Sequence, residues 1–221
     1  MTIKRKRIEM KKKSSFGCEF GRSMIEMLGV LAIVGVLSVG GISGFQKAMN
    51  KHKINQVTEE LSQFINELLR YSKDWRQIRF AGEAIRRDLT SEVDFILPAK
   101  WERKEGIFYD SMGNKFYVQL RNDVSSSPKS IALSYRFNER DDKIKIDLCM
   151  AYYEMTKLYY ADSISDVWLW TPRGYVKVYG NAYCGNGKKC LSDLTLAEMR
   201  ANCEFYKAED KDSSFFIAFP L

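Results

Sequence analysis

Gly21-Arg22-Ser23-Met24-Ile25-Glu26-Met27-Leu28-Gly29-Val30-Leu31-Ala32-Ile33-Val34-Gly35-Val36-Leu37 decides the reading of this 221-residue chain. From Met27 to Phe45 nineteen residues pass without a charge, and only Ser38 and Ser43 are clearly polar. An α-helix needs roughly 20 such residues to cross the hydrocarbon of a bilayer. The stretch therefore reads as a transmembrane helix, with one carboxylate, Glu26, set against its N-terminal edge.

Ahead of it, Met1 to Gly21 carries seven basic residues (Lys4, Arg5, Lys6, Arg7, Lys11, Lys12 and Lys13) against Glu9 and Glu19. An excess of Lys and Arg within about 20 residues of a transmembrane end holds that end in the cytoplasm. The expected topology is single-pass, with the N-terminus inside and the C-terminal part translocated. Two other signals compete with this reading. A secretory signal would be cut after the apolar segment at small residues, and Gly40-Gly41 and Gly44 permit that. A lipoprotein signal at Gly17-Cys18 fails, because charged and polar residues precede it where an apolar run is required.

A basic leader ending in Gly21, then four residues, then Glu26 and an unbroken apolar helix resembles the class III signal of type IV pilins and the related type II secretion pseudopilins. The long leader is similar to that of the type IVb branch. The matching motif covers Gly21 to about Phe45. It implies that a membrane-embedded prepilin peptidase cuts between Gly21 and Arg22 and methylates the new N-terminus, making Glu26 the fifth mature residue. It also implies that Glu26 pairs with the N-terminal amine of a neighbouring identical or related subunit as the chain enters a filament, at an inner-membrane assembly platform.

Glu26 has a second account that needs no filament. Ser23-x-x-Glu26 is a capping box, in which the hydroxyl and the carboxylate satisfy amide donors at a helix start. Capping alone does not explain a carboxylate next to hydrocarbon, where ionisable groups are costly and usually paired; the two roles are compatible. Gly40-x-x-x-Gly44 is a small-xxx-small spacing that lets helices approach closely in lipid, although glycine is also frequent in membrane helices generally.

The helical pattern continues past Phe45. Ile54, Val57, Leu61, Phe64, Leu68 and Tyr71 alternate spacings of three and four, with Ile65 and Leu69 widening the stripe and Lys53, Glu59, Glu60 and Glu67 on the polar face. From Met24 to about Lys73 this predicts roughly 50 helical residues, about 75 Å long. The expected organisation is a leader over 1–21, a transmembrane and assembly helix over 22–45, an amphipathic continuation over 46–73 and a globular domain over 74–221.

In that domain, Asp74 to Lys100 reads as a charged connector with a short helix around Glu83–Leu89. Ile107–Tyr109, Lys115–Arg121 and Ile131–Phe137 read as strands, separated by turn residues at 110–114 and 125–128. The first of these turns resembles the glycine-containing turn before the sheet of many pseudopilins. Leu148, Ala151, Tyr152, Met155, Leu158 and Tyr159 predict a helix at about Asp147–Tyr160 whose aromatic stripe packs in a core rather than forming a binding groove. Asp141-Asp142 reads as a solvated turn. Val167–Trp170 and Tyr175–Tyr179 flank Thr171-Pro172-Arg173-Gly174 as a hairpin, Thr195-x-x-Glu198 opens a short helix through about Asn202, and Phe215–Phe219 supplies a last strand. The expected class is α+β, and the order of elements resembles a pilin, with a long helix packed on an antiparallel sheet.

Cys18 lies in the leader, which leaves Cys149, Cys184, Cys190 and Cys203 in the part expected outside the cytoplasm, where disulfides form. Four cysteines allow three connectivities. The resemblance to pilins, which often pin a C-terminal region by such a bond, implies Cys149–Cys203 with Cys184–Cys190. A zinc site is the competing reading, weakened by the absence of a CxxC pair and by the position of His52, the sole histidine, near the membrane edge.

The formal charge of +7 suggests a nucleic-acid binder, but without Met1–Gly21 the balance is 28 basic against 26 acidic residues, or +2. No GxSxG, HExxH or phosphate-binding glycine loop is present, so no enzyme, cofactor or metal is expected and nucleic acid is not favoured as a partner. The expectation is a structural subunit of a pilus or secretion pseudopilus, held in the inner membrane with its C-terminal domain in the periplasm before assembly. A single-pass anchored domain that binds or catalyses without polymerising is the alternative.

Overall fold

The computed structural model describes residues 24–80, 86–122, 129–138, 141–205 and 213–221. The chain divides into two units, one up to Lys47 and one from Ala48 to Leu221. A single α-helix, α1 (Met24–Arg70), contributes to both. In the first unit it is the only described element, and every described side chain there is exposed.

The second unit is α+β. Beyond α1 come α2 (Ser72–Gln77), β1 (Arg86–Asp88), a 3-10 turn at Asp94–Ile96, β2 (Glu102–Lys104), β3 (Ile107–Tyr109), β4 (Lys115–Arg121) and β5 (Ser130–Arg136). Then follow α3 (Asp142–Tyr159), β6 (Asp166–Thr171), β7 (Gly174–Tyr179), α4 (Leu196–Phe205) and β8 (Ser214–Pro220). The strands form one antiparallel sheet in the order β2-β3-β4-β5-β8-β6-β7, with β1 paired to β4.

The apolar stripe of α1 meets this sheet. Ile54, Val57, Leu61, Phe64, Ile65 and Leu68 are buried, and the Phe64 ring lies 5.3 Å from Trp101 and 5.5 Å from Phe116 of β4. Helix α3 covers the neighbouring part of the same face, with Tyr152 against Tyr135 of β5 at 5.1 Å and Tyr153 against Phe215 of β8 at 5.2 Å. Strand alternation puts Phe116, Val118 and Leu120 of β4 on the buried side. The edge-to-face pairs among these, Phe64–Phe116, Tyr135–Tyr152 and Tyr153–Phe215, add about 0.5–1.5 kcal/mol each beyond area burial.

Several elements differ from the sequence reading. The segment 74–100 is no mere connector: Trp75, Leu89 and Val93 are buried in the core. Of the short helix expected around Glu83–Leu89, residues 83–85 lie outside the described residues, and Arg86–Asp88 is instead a strand whose three side chains are all exposed; it exists through backbone pairing with β4. Helix α3 begins at Asp142, five residues before the expected start, and Asp141 is its N-cap, its carboxylate accepting from the Lys143 amide at 2.8 Å. Asp141-Asp142 is therefore a helix start rather than a free turn, as N-cap preferences for Asp explain. At the other end of α3, Leu158 and Tyr159 are exposed rather than packed.

The β6–β7 hairpin closes through Thr171↔Gly174. The capping box opening α4 is complete: Thr195 N and Oγ1 both donate to Glu198 Oε2, and the Glu198 amide donates back to Thr195 Oγ1. Gly180 is required by close approach, since a Cβ there would lie 2.0 Å from the Ile164 carbonyl oxygen.

Candidate assembly helix and its anchorage

Glu26 occupies the first turn of α1 and is exposed. A carboxylate in that position is favoured by the positive end of the helix dipole. Gly21 and Arg22, the expected cleavage pair, and Ser23 of the capping box lie outside the described residues.

Helix α1 contains an 18-residue window of mean hydropathy 2.2, and none of that window is buried. This helix is long and apolar enough to span a membrane. Leu31, Ile33 and Leu37 are each more than 60 % exposed, whereas soluble monomers rarely expose contiguous apolar patches beyond a few hundred Å². Gly40 and Gly44 lie in open space: a methyl group at either position would have nothing within 4 Å. Between them, Ser43 Oγ donates to the Gly40 carbonyl at 3.0 Å, so that hydroxyl is satisfied within the helix. Neither glycine adds a side chain to this surface.

The second unit anchors the C-terminal half of α1 by polar contacts as well as by its stripe. Glu60 Oε2 accepts from Trp101 Nε1 at 2.9 Å and from Ser111 Oγ at 2.6 Å, and Oε1 accepts from Gln56 Nε2 at 2.7 Å. Burial raises the pKa of this carboxyl, but the bonds from Ser111, Gln56 and Trp101 together with the Lys100 charge outweigh it, so the net shift is downward. Tyr160, following α3, shares a hydrogen bond with Ser62 Oγ at 2.9 Å and donates toward Asn66 Oδ1 at 3.1 Å. Trp75 Nε1 donates to the Leu68 carbonyl at 2.9 Å.

Of the residues read as the polar face, Glu60 is half-buried rather than solvated. It stands three residues after Val57 and four before Phe64, at the rim of the apolar stripe, and that spacing was the available signal. Beside it, the turn at 110–114 is tied by Asp110, whose Oδ1 accepts from the Met112 and Asn114 amides and whose Oδ2 accepts from Asn114 Nδ2. Gly113 takes φ 79° there, a backbone conformation other residues avoid. Burial pushes the Asp110 carboxyl up to about 6 despite these bonds.

Cys149 of α3 is bonded to Cys203 of α4, and Cys184 to Cys190. These are the partners the resemblance implies, and as bonded sulfurs they are not thiolate ligands for zinc. His52 is exposed on α1.

No model of a known protein family matches the chain, and neither does any curated protein or solved structure.

Proposed function

We propose that the chain is a structural subunit of a type IV pilus or of a pilin-like secretion filament, processed by a prepilin peptidase and polymerised through α1. The observation that carries this reading is the division of one helix into two chemically different parts. The first part is apolar and has no buried residue in its most apolar stretch, while the second part buries Ile54, Val57, Leu61, Phe64, Ile65 and Leu68 in the α+β unit. An exposed apolar helix is accommodated by lipid, and it can also pack against copies of itself. A subunit that exchanges the first setting for the second enters a filament without having to refold its globular unit.

Within this reading Glu26 supplies the charge that pairs with the mature N-terminal amine of the adjacent subunit. Gly40 and Gly44 allow neighbouring helices to approach where side chains would hold them apart. The subunit waits in the inner membrane with its N-terminus cytoplasmic and its disulfide-bonded unit in an oxidising compartment, and an assembly platform extracts it.

N-terminal sequencing of the membrane-associated protein, together with mass spectrometry of sheared surface or periplasmic filaments, tests the proposal. A mature chain beginning at Arg22 and recovered in filaments is the expected result. An intact leader, or a cut after the apolar segment, overturns it. Cleavage at Gly21 without any filament leaves a single-pass anchored domain as the better account.

A further inference from the structure

Helices α1 and α3 cover one side of the sheet; the other side has its own pattern. Residues directly opposite across antiparallel strands share a face. One such row runs Tyr117↔Ser134, Ser134↔Phe216, Phe216↔Trp168 and Trp168↔Lys177 across five strands, on the side opposite to Phe116, Tyr135 and Phe215. The Trp168 and Phe216 rings stack with centroids 4.3 Å apart.

Cations are interleaved with these rings. The exposed Arg136 guanidinium lies 5.7 Å from the Tyr117 centroid and Lys177 Nζ lies 5.0 Å from Tyr179, while Arg121, 5.3 Å from Trp168, is itself buried and supports that ring from within. Lys104 and Lys115 both approach Tyr109, at 6.0 and 5.9 Å. The register also brings Asp88, Glu102 and Asp166 to this side, each engaged through one carboxylate oxygen, while Asp166 Oδ1 is buried without a hydrogen-bond partner among the described residues. Asp88 accepts from Thr90, Glu102 is ion-paired with Lys104, and Asp166 accepts from Ser165 and lies 3.5 Å from Lys177. Next to the β7 edge, the cross-strand pair Trp170 and Tyr175 is 37 % and 66 % exposed.

We propose that this face binds single-stranded nucleic acid, with phosphates on the cations and bases stacked on Trp170 and Tyr175. Sequence-tolerant single-strand binding combines a positive track with aromatic stacking platforms, and both are present here on one sheet. A sugar polymer fits less well. Its neutral hydroxyls would leave the charge of the face uncompensated, since the register sets six strand cations (Arg86, Lys104, Lys115, Arg121, Arg136 and Lys177) against three strand carboxylates on this side. The near-neutral charge of the chain without its leader does not oppose this, because a sum over all residues does not register how charge is distributed between faces. The inference does not depend on whether the chain polymerises.

The test uses the full-length chain in detergent micelles and a fluorescein-labelled oligothymidylate of about 20 nucleotides, followed by anisotropy. Affinity is expected to fall steeply between about 50 and 200 mM salt. Combined Arg136→Glu and Lys177→Glu substitution is expected to weaken binding at least about tenfold. Tyr175→Ala is expected to weaken it roughly 5-fold, with Tyr175→Phe close to wild type because the stacking ring is retained. Circular dichroism establishes that each variant is folded. Absence of binding at low salt overturns the proposal. So does binding that survives the double charge reversal, since the seven basic residues of the leader would then account for it. If the charge reversals abolish binding but Trp170→Ala and Tyr175→Ala leave it unchanged, or if an acidic polysaccharide at equal charge displaces the oligonucleotide, the face is a general polyanion surface and the nucleic-acid assignment is wrong.

Discussion

Trp101 Nε1 donates a hydrogen bond to Glu60 Oε2 at 2.9 Å across 41 residues of chain, and Ser111 Oγ donates to the same oxygen. One carboxylate on α1 thereby holds both the start of the sheet and the turn before β4. Its side chain is only 12 % exposed, so removing it strands partly buried donors. Glu60→Ala is expected to destabilise the globular unit by about 1–3 kcal/mol, read as a lowered midpoint in chemical denaturation. Glu60→Gln keeps one acceptor oxygen and should lose less.

The two neighbouring carboxyls should respond to pH in opposite directions. Asp110 is raised from 3.8 to about 6 in the folded chain, so its contribution is fully present below pH 3.8 and is lost as pH rises through about 6. A shift of roughly two units corresponds to on the order of 3 kcal/mol. Glu60 is lowered, so its contribution is present above its unfolded value of 4.5 and is lost as pH falls through the folded one. Asp110→Asn should flatten the loss of stability between about pH 4 and 6, measured by thermal melts across that window. An unchanged profile would falsify the assignment to Asp110.

The two disulfides should differ in weight. Cys149 and Cys203 are 54 residues apart and fully buried, whereas Cys184 and Cys190 are 6 apart. On the chain-entropy model these loops correspond to about 4 and about 2 kcal/mol. Cys149→Ser should therefore lower stability and steady-state amount more than Cys184→Ser does. Denaturation of the two variants side by side measures this; equal losses would show that loop closure is not the dominant effect.

Substitution of Glu26 separates assembly from membrane insertion. Glu26→Ala removes a charge at the edge of hydrocarbon, so membrane levels should be normal or higher, while entry into filaments should fail for want of a partner for the adjacent amine. Glu26→Gln retains part of the capping geometry without the charge. If Gln assembles as wild type does, capping is the better account; if both variants form normal filaments, Glu26 is not the assembly residue.

The legible parts of the fold were those with local periodicity. Strands β3 and β4 and the buried stripe of α1 follow from alternation and from three-four spacing. The start of α3 was hidden because Lys143-Ile144-Lys145-Ile146 alternates like a strand, and the helix is signalled only by the Asp141 cap. Strand β1 carries no apolar pattern; its register on β4 is a non-local property that Arg86-Arg87-Asp88 does not announce. The exposed apolar helix around Glu26, Gly40 and Gly44 was readable because it is one continuous run of sequence. The sheet's outer face was not, since its cations and rings come from strands far apart in sequence and meet only through the register.

The order of strands imposes a timetable on synthesis. β8 follows every other strand in the chain, yet it sits between β5 and β6 and pairs with both. Until residues 214–220 emerge, β4–β5 and β6–β7 are two separate ribbons, each presenting the edge that β8 will later occupy. Closure of long-range pairings of this kind is slow and leaves unpaired edges open in the interim. A chain interrupted before Ser214 would thus be more than slightly shortened: it would display two open edges, each a template for adding strands from another molecule.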